Sequence, residues 1–172
     1  SPKPDWARYN ASEQARSVVA TLLRQRITGK VIIVGHSLGA LVAVEVAKRY
    51  PILVSSLVLC SPPFYNPDLN GKLPNADRVL RTLFEQVEKN QQYFLKFATV
   101  AIKYKLVNPA FSVTQDNLPS YIQTLKAAII SQSAFDDVQK LTCPTTIIYG
   151  SLDPLVIDRN LKQMAKANPH VI

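Results

Sequence analysis

Cysteine is nearly missing from this chain, with Cys60 and Cys143 the only two in 172 residues. They lie far apart, match no metal-ligand spacing, and each falls at an end of a predicted strand. Both read as small, reduced core residues of a cytosolic protein. Long apolar runs are missing as well: no stretch approaches the roughly 18 residues of a membrane span. The opening Ser1-Pro2-Lys3-Pro4-Asp5 has no apolar segment of the kind a signal peptide needs. Low-complexity tracts, internal repeats and basic runs are absent too. The net charge is +8, but residues 1–63 contribute +5, 64–140 contribute +2 and 141–172 contribute +1. With the excess spread out and no aromatics interleaved, no nucleic-acid partner is expected.

What is present is an ordinary globular composition, 47% hydrophobic and 19% charged, in a chain of one-domain length able to bury a substantial core. Asn10-Ala11-Ser12-Glu13 has the form of a capping box. Ala15, Val18, Val19, Leu22 and Leu23 follow at helical spacing, predicting one apolar stripe through about Arg26 and an end at Thr28-Gly29-Lys30. Val31–Val34 is continuously apolar, as in a parallel strand covered on both faces. Leu38–Tyr50 reads as a helix with Leu41, Val42, Val46 and Ala47 inward, stopped by Pro51. Val54–Cys60 is a second apolar strand, closed by Ser61-Pro62-Pro63.

From Phe64 to about Leu141 no buried strand is evident, and three helical patterns take over near 76–87, 91–106 and 119–131. The second is rich in aromatics and lysines, a core stripe with a wet face, some of whose apolar side chains could line a substrate pocket. Thr145–Tyr149 is a third buried strand, followed by Gly150, Asp153 and a helix from about Asp158 to Ala167. A further strand begins near 170. The alternation predicts a parallel α/β sheet.

The most informative stretch is Val31-Ile32-Ile33-Val34-Gly35-His36-Ser37-Leu38-Gly39-Ala40. A strand runs into G-x-S-x-G and a helix follows at once, which is the context of a nucleophile elbow. A side chain at Gly35 or Gly39 is expected to crowd the turn. Ser37 then stands at the tip, and the Leu38 N–H points to where an oxyanion would develop. A serine hydroxyl needs a histidine base beside it, and that base needs a carboxylate to hold its tautomer. Asp153 follows a parallel strand whose end reaches the same sheet edge as Ser37. Asp158 reads instead as the start of the next helix.

With these motifs in place, the chain resembles the cap-bearing members of the α/β-hydrolase superfamily over essentially its whole length. The resemblance implies a partial α/β-hydrolase sheet with strands near 31–34, 54–60 and 145–149 and one starting near 170. Residues 1–63 and 141–172 would form the core and 64–140 an inserted helical cap. It implies a serine hydrolase acting on a small ester, lactone or C–C bond, with Ser37 as nucleophile, Asp153 as acid and the Leu38 N–H as oxyanion donor. No cofactor or metal is implied, and the partner is a small-molecule substrate in the cytoplasm.

The family's histidine follows the acid, and only His36 and His170 are available. His36 is the x of the elbow, and His170 precedes the last predicted strand, at its wrong end. The base is therefore expected outside these residues. Ser1-Pro2-Lys3-Pro4 resembles the tail of the family's G-x-G-x-S-x-x-P loop, so the second oxyanion donor is expected outside them too. The chain then reads as a fragment, inactive alone, whose mid-sheet strand needs a strand-completing partner or a swapped copy. The competing reading is a non-catalytic ligand-binding or signalling member that keeps the pocket.

Overall fold

The computed structural model describes residues 9–65, 78, 81–82, 85–87, 89–90, 92, 95–96, 114–131, 134–153 and 155–172. Its elements run in the order α1 (Ala11–Arg24), β1 (Val31–His36), α2 (Leu38–Arg49), β2 (Val54–Cys60), α3 (Leu118–Thr124), α4 (Ala134–Val138), β3 (Thr145–Ile148) and α5 (Asp158–Ala167). A 3-10 turn, Pro51–Leu53, joins α2 to β2. The predicted helices near 76–87 and 91–106 lie largely outside the described residues, although those described there as far as Lys96 are helical except Asn90. The third predicted helix is present, but α3 widens into a π-helical turn over Leu125–Ile130. α4 has no counterpart in the sequence reading.

The three strands are parallel in the order β1-β2-β3, with His36 level with Cys60 and Cys60 level with Ile148. The strand expected near 170 is present as a bridge between Thr145 and Val171. Ile33, Leu57, Leu59 and Ile147 join the main core with Ala15 and Val19 of α1, Leu41 and Val44 of α2, and Leu161 and Met164 of α5. The opposite face is open: Ile32 is 65%, Val34 67% and Ile148 54% exposed. The expectation that Val31–Val34 is covered on both faces is therefore corrected. The described helices that enter this core pack the Ile33 side, so an apolar sequence marks a face that these residues leave in water.

α1 starts as predicted, with the Glu13 N–H donating to Asn10 Oδ1 at 2.7 Å. The reciprocal half of the capping box is replaced, because Glu13 pairs with Arg16 at 3.2 Å. Only Ala15 and Val19 are buried along α1. Val18 and Leu23 face solvent, so the stripe is narrower than its spacing implied. The helix also ends before Gly29. Arg26 takes a left-handed φ of 57°, its N–H donates to Leu23 O at 3.0 Å, and the Ile27 N–H reaches Leu22 O at 2.9 Å. This is a Schellman closure with arginine where glycine is usual.

α2 is buried almost all round, at Ala40, Leu41, Val42, Ala43, Val44, Val46 and Ala47, because sheet, α1 and α4 meet on it. Lys48 at its end pairs with Asp137 at 2.9 Å and with Glu45 at 3.4 Å. Two buried asparagines, Asn160 and Asn168, complete the packing. Asn168 Nδ2 donates to the carbonyls of Val138 and Leu141, both at 2.9 Å, and its Oδ1 accepts from the His170 N–H. It thereby ties down the carbonyl of the last residue of α4, which also accepts from the Leu141 N–H at 3.3 Å, and that of Leu141 in the turn that follows. Cys60 and Cys143 are free and half-buried, at the strand ends where they were expected. Among the described residues, no helix is long and apolar enough to cross a membrane.

Candidate active site

The turn between β1 and α2 is built by one close approach. A Cβ on Gly35 would lie 2.4 Å from the Gly39 carbonyl oxygen and 2.8 Å from the Ala40 nitrogen. No side chain fits there. Gly39 itself behaves differently, since a Cβ on it would meet nothing within 4 Å. The expectation that both glycines are sterically required is corrected: the crowding is between the Cα of Gly35 and the backbone of Gly39, so only Gly35 must lack a side chain.

Ser37 stands at the tip with φ 52° and ψ −120°. Few non-glycine residues adopt a positive φ, and such strain persists only where the surroundings over-determine it. Here the Ser37 N–H donates to Cys60 O, and its carbonyl accepts from the Ala40 N–H, both at 2.9 Å. One bond ties the tip to β2 and the other to α2. Leu38 is the first residue of α2, so its N–H has no partner within the helix and lies at the positive end of the helix dipole.

β2 ends in the same way. Ser61 has φ 45°, and its N–H donates to Ile148 O at 2.7 Å. Two serines in the left-handed region thus follow the ends of neighbouring parallel strands. Nothing local in Ser61-Pro62-Pro63 announces this, because serine has no preference for that conformation; the strand pairing imposes it.

Asp153 lies on the loop after β3, at the carboxyl edge of the sheet that also holds Ser37. Its Oδ1 accepts from the Leu155 N–H at 3.0 Å. Its N–H donates to Gly150 O at 3.0 Å, and its carbonyl accepts from the Val156 N–H at 3.3 Å. A tight turn therefore orients the carboxylate. Asp158 is the first residue of α5, as expected. It pairs with Lys162 at 2.7 Å and accepts from the Tyr149 hydroxyl. Lys162 first, and Tyr149 after it, hold its carboxyl below the usual range.

The two histidines are separated by the length of the sheet. His36 ends β1 and is exposed. His170 lies beside Thr145, the first residue of β3, whose N–H donates to its carbonyl at 2.7 Å. Thr145 is level with Leu57, and Leu57 with Ile33, which puts His170 roughly 13 Å or more from Ser37 along the strand direction. His170 is at the amino edge, as its place before the last strand implied. Two hollows, of about 150 Å³ between α1, α2 and α4 and about 120 Å³ between β3 and α5, touch neither Ser37 nor Asp153. Among the described residues, no three His, Cys, Asp or Glu side chains group as metal ligands.

With this geometry in hand, comparison with known proteins is informative. A sequence model of the family described as "Alpha/beta hydrolase family" matches residues 1–172. A protein of Arabidopsis thaliana named "Probable lysophospholipase BODYGUARD 3" is 34% identical over 74 residues, covering 43% of this chain and 15% of that protein. A hydrolase from Oleispira antarctica superposes with a TM-score of 0.66 at 18% identity, over 96% of this chain and 63% of its own. A thermophilic esterase from Thermogutta terrifontis does so with a TM-score of 0.58 at 21% identity, over 95% of this chain and 62% of its own. The matched stretch is a small part of the plant relative, and the chain spans less than two thirds of either solved structure.

Proposed function

Since the chain belongs to the alpha/beta hydrolase family, we propose that it carries the nucleophile, the acid and one oxyanion donor of a serine hydrolase acting on carboxylic esters. The observation behind this reading is Ser37, held at φ 52° by bonds to both the neighbouring strand and the following helix. A backbone strained at a hydroxyl-bearing residue between a strand and a helix is the form a nucleophile elbow takes. Asp153, oriented by its own turn at the same sheet edge, is the acid. The cap is read onto residues 64–140, whose described ends, Phe64 and α4, are seated in the main core. The ester class is put ahead of lactones and C–C bonds because the plant relative matched in sequence is named as a probable lysophospholipase.

In the first step the Ser37 hydroxyl adds to the acyl carbon while an imidazole from outside these 172 residues takes its proton. Charge gathers on the acyl oxygen, where the Leu38 N–H meets it. The imidazolium, held by Asp153, gives the proton to the departing alcohol. Water then repeats the sequence on the acyl-enzyme, releasing the acid and Ser37.

A fluorophosphonate probe on the intact protein tests this. A single adduct is expected on Ser37, abolished by Ser37→Ala and slowed on the order of 10³-fold or more by Asp153→Asn. Labelling of Ser37→Ala at the wild-type rate would sink the reading. The 172-residue chain alone is expected to turn over p-nitrophenyl esters near background.

A further inference from the structure

Tyr65 is 1% exposed and lies outside every motif of the elbow and the acid loop. Its hydroxyl donates to the Ile129 carbonyl at 2.7 Å and is shared with the Ile130 carbonyl. Both acceptors belong to the last residues of the π-helical turn Leu125–Ile130, and the Ile129 carbonyl also accepts from the N–H of Ser131, which closes the turn. π-Helical turns are rare and are found frequently at functional sites. The ring of Tyr65 packs with Leu125, Ile129 and Ile130 of that turn and also with Leu155 and Ile157. Leu155 is the residue whose N–H holds Asp153 Oδ1. The backbone just before Tyr65 is fixed too, since the Phe64 carbonyl accepts at 3.3 Å from Asn160 Nδ2, on a fully buried side chain of α5.

We propose that Tyr65 is a positioning residue that latches the π-helical turn, through its hydroxyl, to the loop that presents Asp153, through its ring. Placement of the returning segment and orientation of the carboxylate then depend on the same side chain. The latch itself is a matter of contacts. Its bearing on catalysis rests on the reading of Ser37 and Asp153 given above.

Hydrogen exchange on the intact protein separates the two halves. Tyr65→Phe removes only the hydroxyl, and is expected to speed amide exchange over residues 125–131 by about tenfold, the worth of one buried hydrogen bond, with α2 unchanged. Tyr65→Leu also removes the ring, and is expected to speed exchange at 155–157 and to lower the fluorophosphonate labelling rate several-fold well below the melting temperature. Unchanged exchange at 125–131 in Tyr65→Phe overturns the latch, as does an increase spread equally over α1 and α2. This arm decides even where Tyr65→Leu fails to fold. Should Asp153→Asn label like wild type while the exchange pattern holds, the acid assignment fails and the latch stands.

Discussion

Gly35 and Gly39 look equivalent in G-x-S-x-G and are not. A methyl group on Gly35 lands 2.4 Å from a backbone oxygen that cannot rotate away. Gly35→Ala is expected to destabilise by about 3 kcal/mol or more, as overpacking against backbone does. Gly39→Ala meets nothing and sits in the first turn of α2, where alanine is the better helix former. It is expected to be neutral or stabilising by up to about 1 kcal/mol. Chemical denaturation of the two variants checks both.

Tyr65 makes a second prediction at this scale. Burial first, with Arg81 opposing and Glu85 adding, pushes its hydroxyl from 10.0 up to about 12. Between those values the folded chain keeps a proton that the unfolded chain has shed, so stability falls as pH rises from 10 to 12. Such a shift is worth as much as about 2–3 kcal/mol. Urea midpoints measured at pH 9 and 11 are expected to fall less in Tyr65→Phe than in wild type.

Among the elements, α1 is held by its ends more than by its face, since only Ala15 and Val19 are buried along it. Asn10→Ala removes the acceptor for the Glu13 N–H and is expected to cost about 1 kcal/mol. Arg26→Gly relieves the left-handed φ of 57° and is expected to stabilise by about 0.5–1 kcal/mol. Thermal melts that show the opposite signs would mean the ends do not limit this helix. The N-terminal signal was legible in Asn10-Ala11-Ser12-Glu13 because a cap is local chemistry. The C-terminal end was not, because Gly29 advertised a stop that the closure over Leu22–Ile27 makes earlier with an arginine.

For the molecule as a whole, the sheet is stabilised from one side. Leu57 and Leu59 are buried against the helices, whereas Ile32 and Val34 face solvent. Leu57→Ala and Leu59→Ala are expected to cost about 2–5 kcal/mol each, and Ile32→Thr and Val34→Thr within about 0.5 kcal/mol. Equal costs on the two faces in denaturant titrations would show that the open face is covered in solution.

The parallel sheet, the places of its three strands, the helices α1, α2 and α5, and the family were readable from the chain alone. Apolar runs, the capping asparagine, Pro51 and the Gly35–Gly39 turn are each written within a few residues of where they act. So were Ser37, Leu38 and Asp153 as candidates, since a strand end followed by a turn is a local pattern. Tertiary structure decided the rest. Which face of β1 is covered, why Gly35 alone must be bare, why Ser61 is strained beside Ser37, and what Tyr65, Asn160 and Asn168 hold all depend on partners dozens of residues away. No periodicity encodes such a meeting, because it comes into being only when the strands pair and the helices close over them.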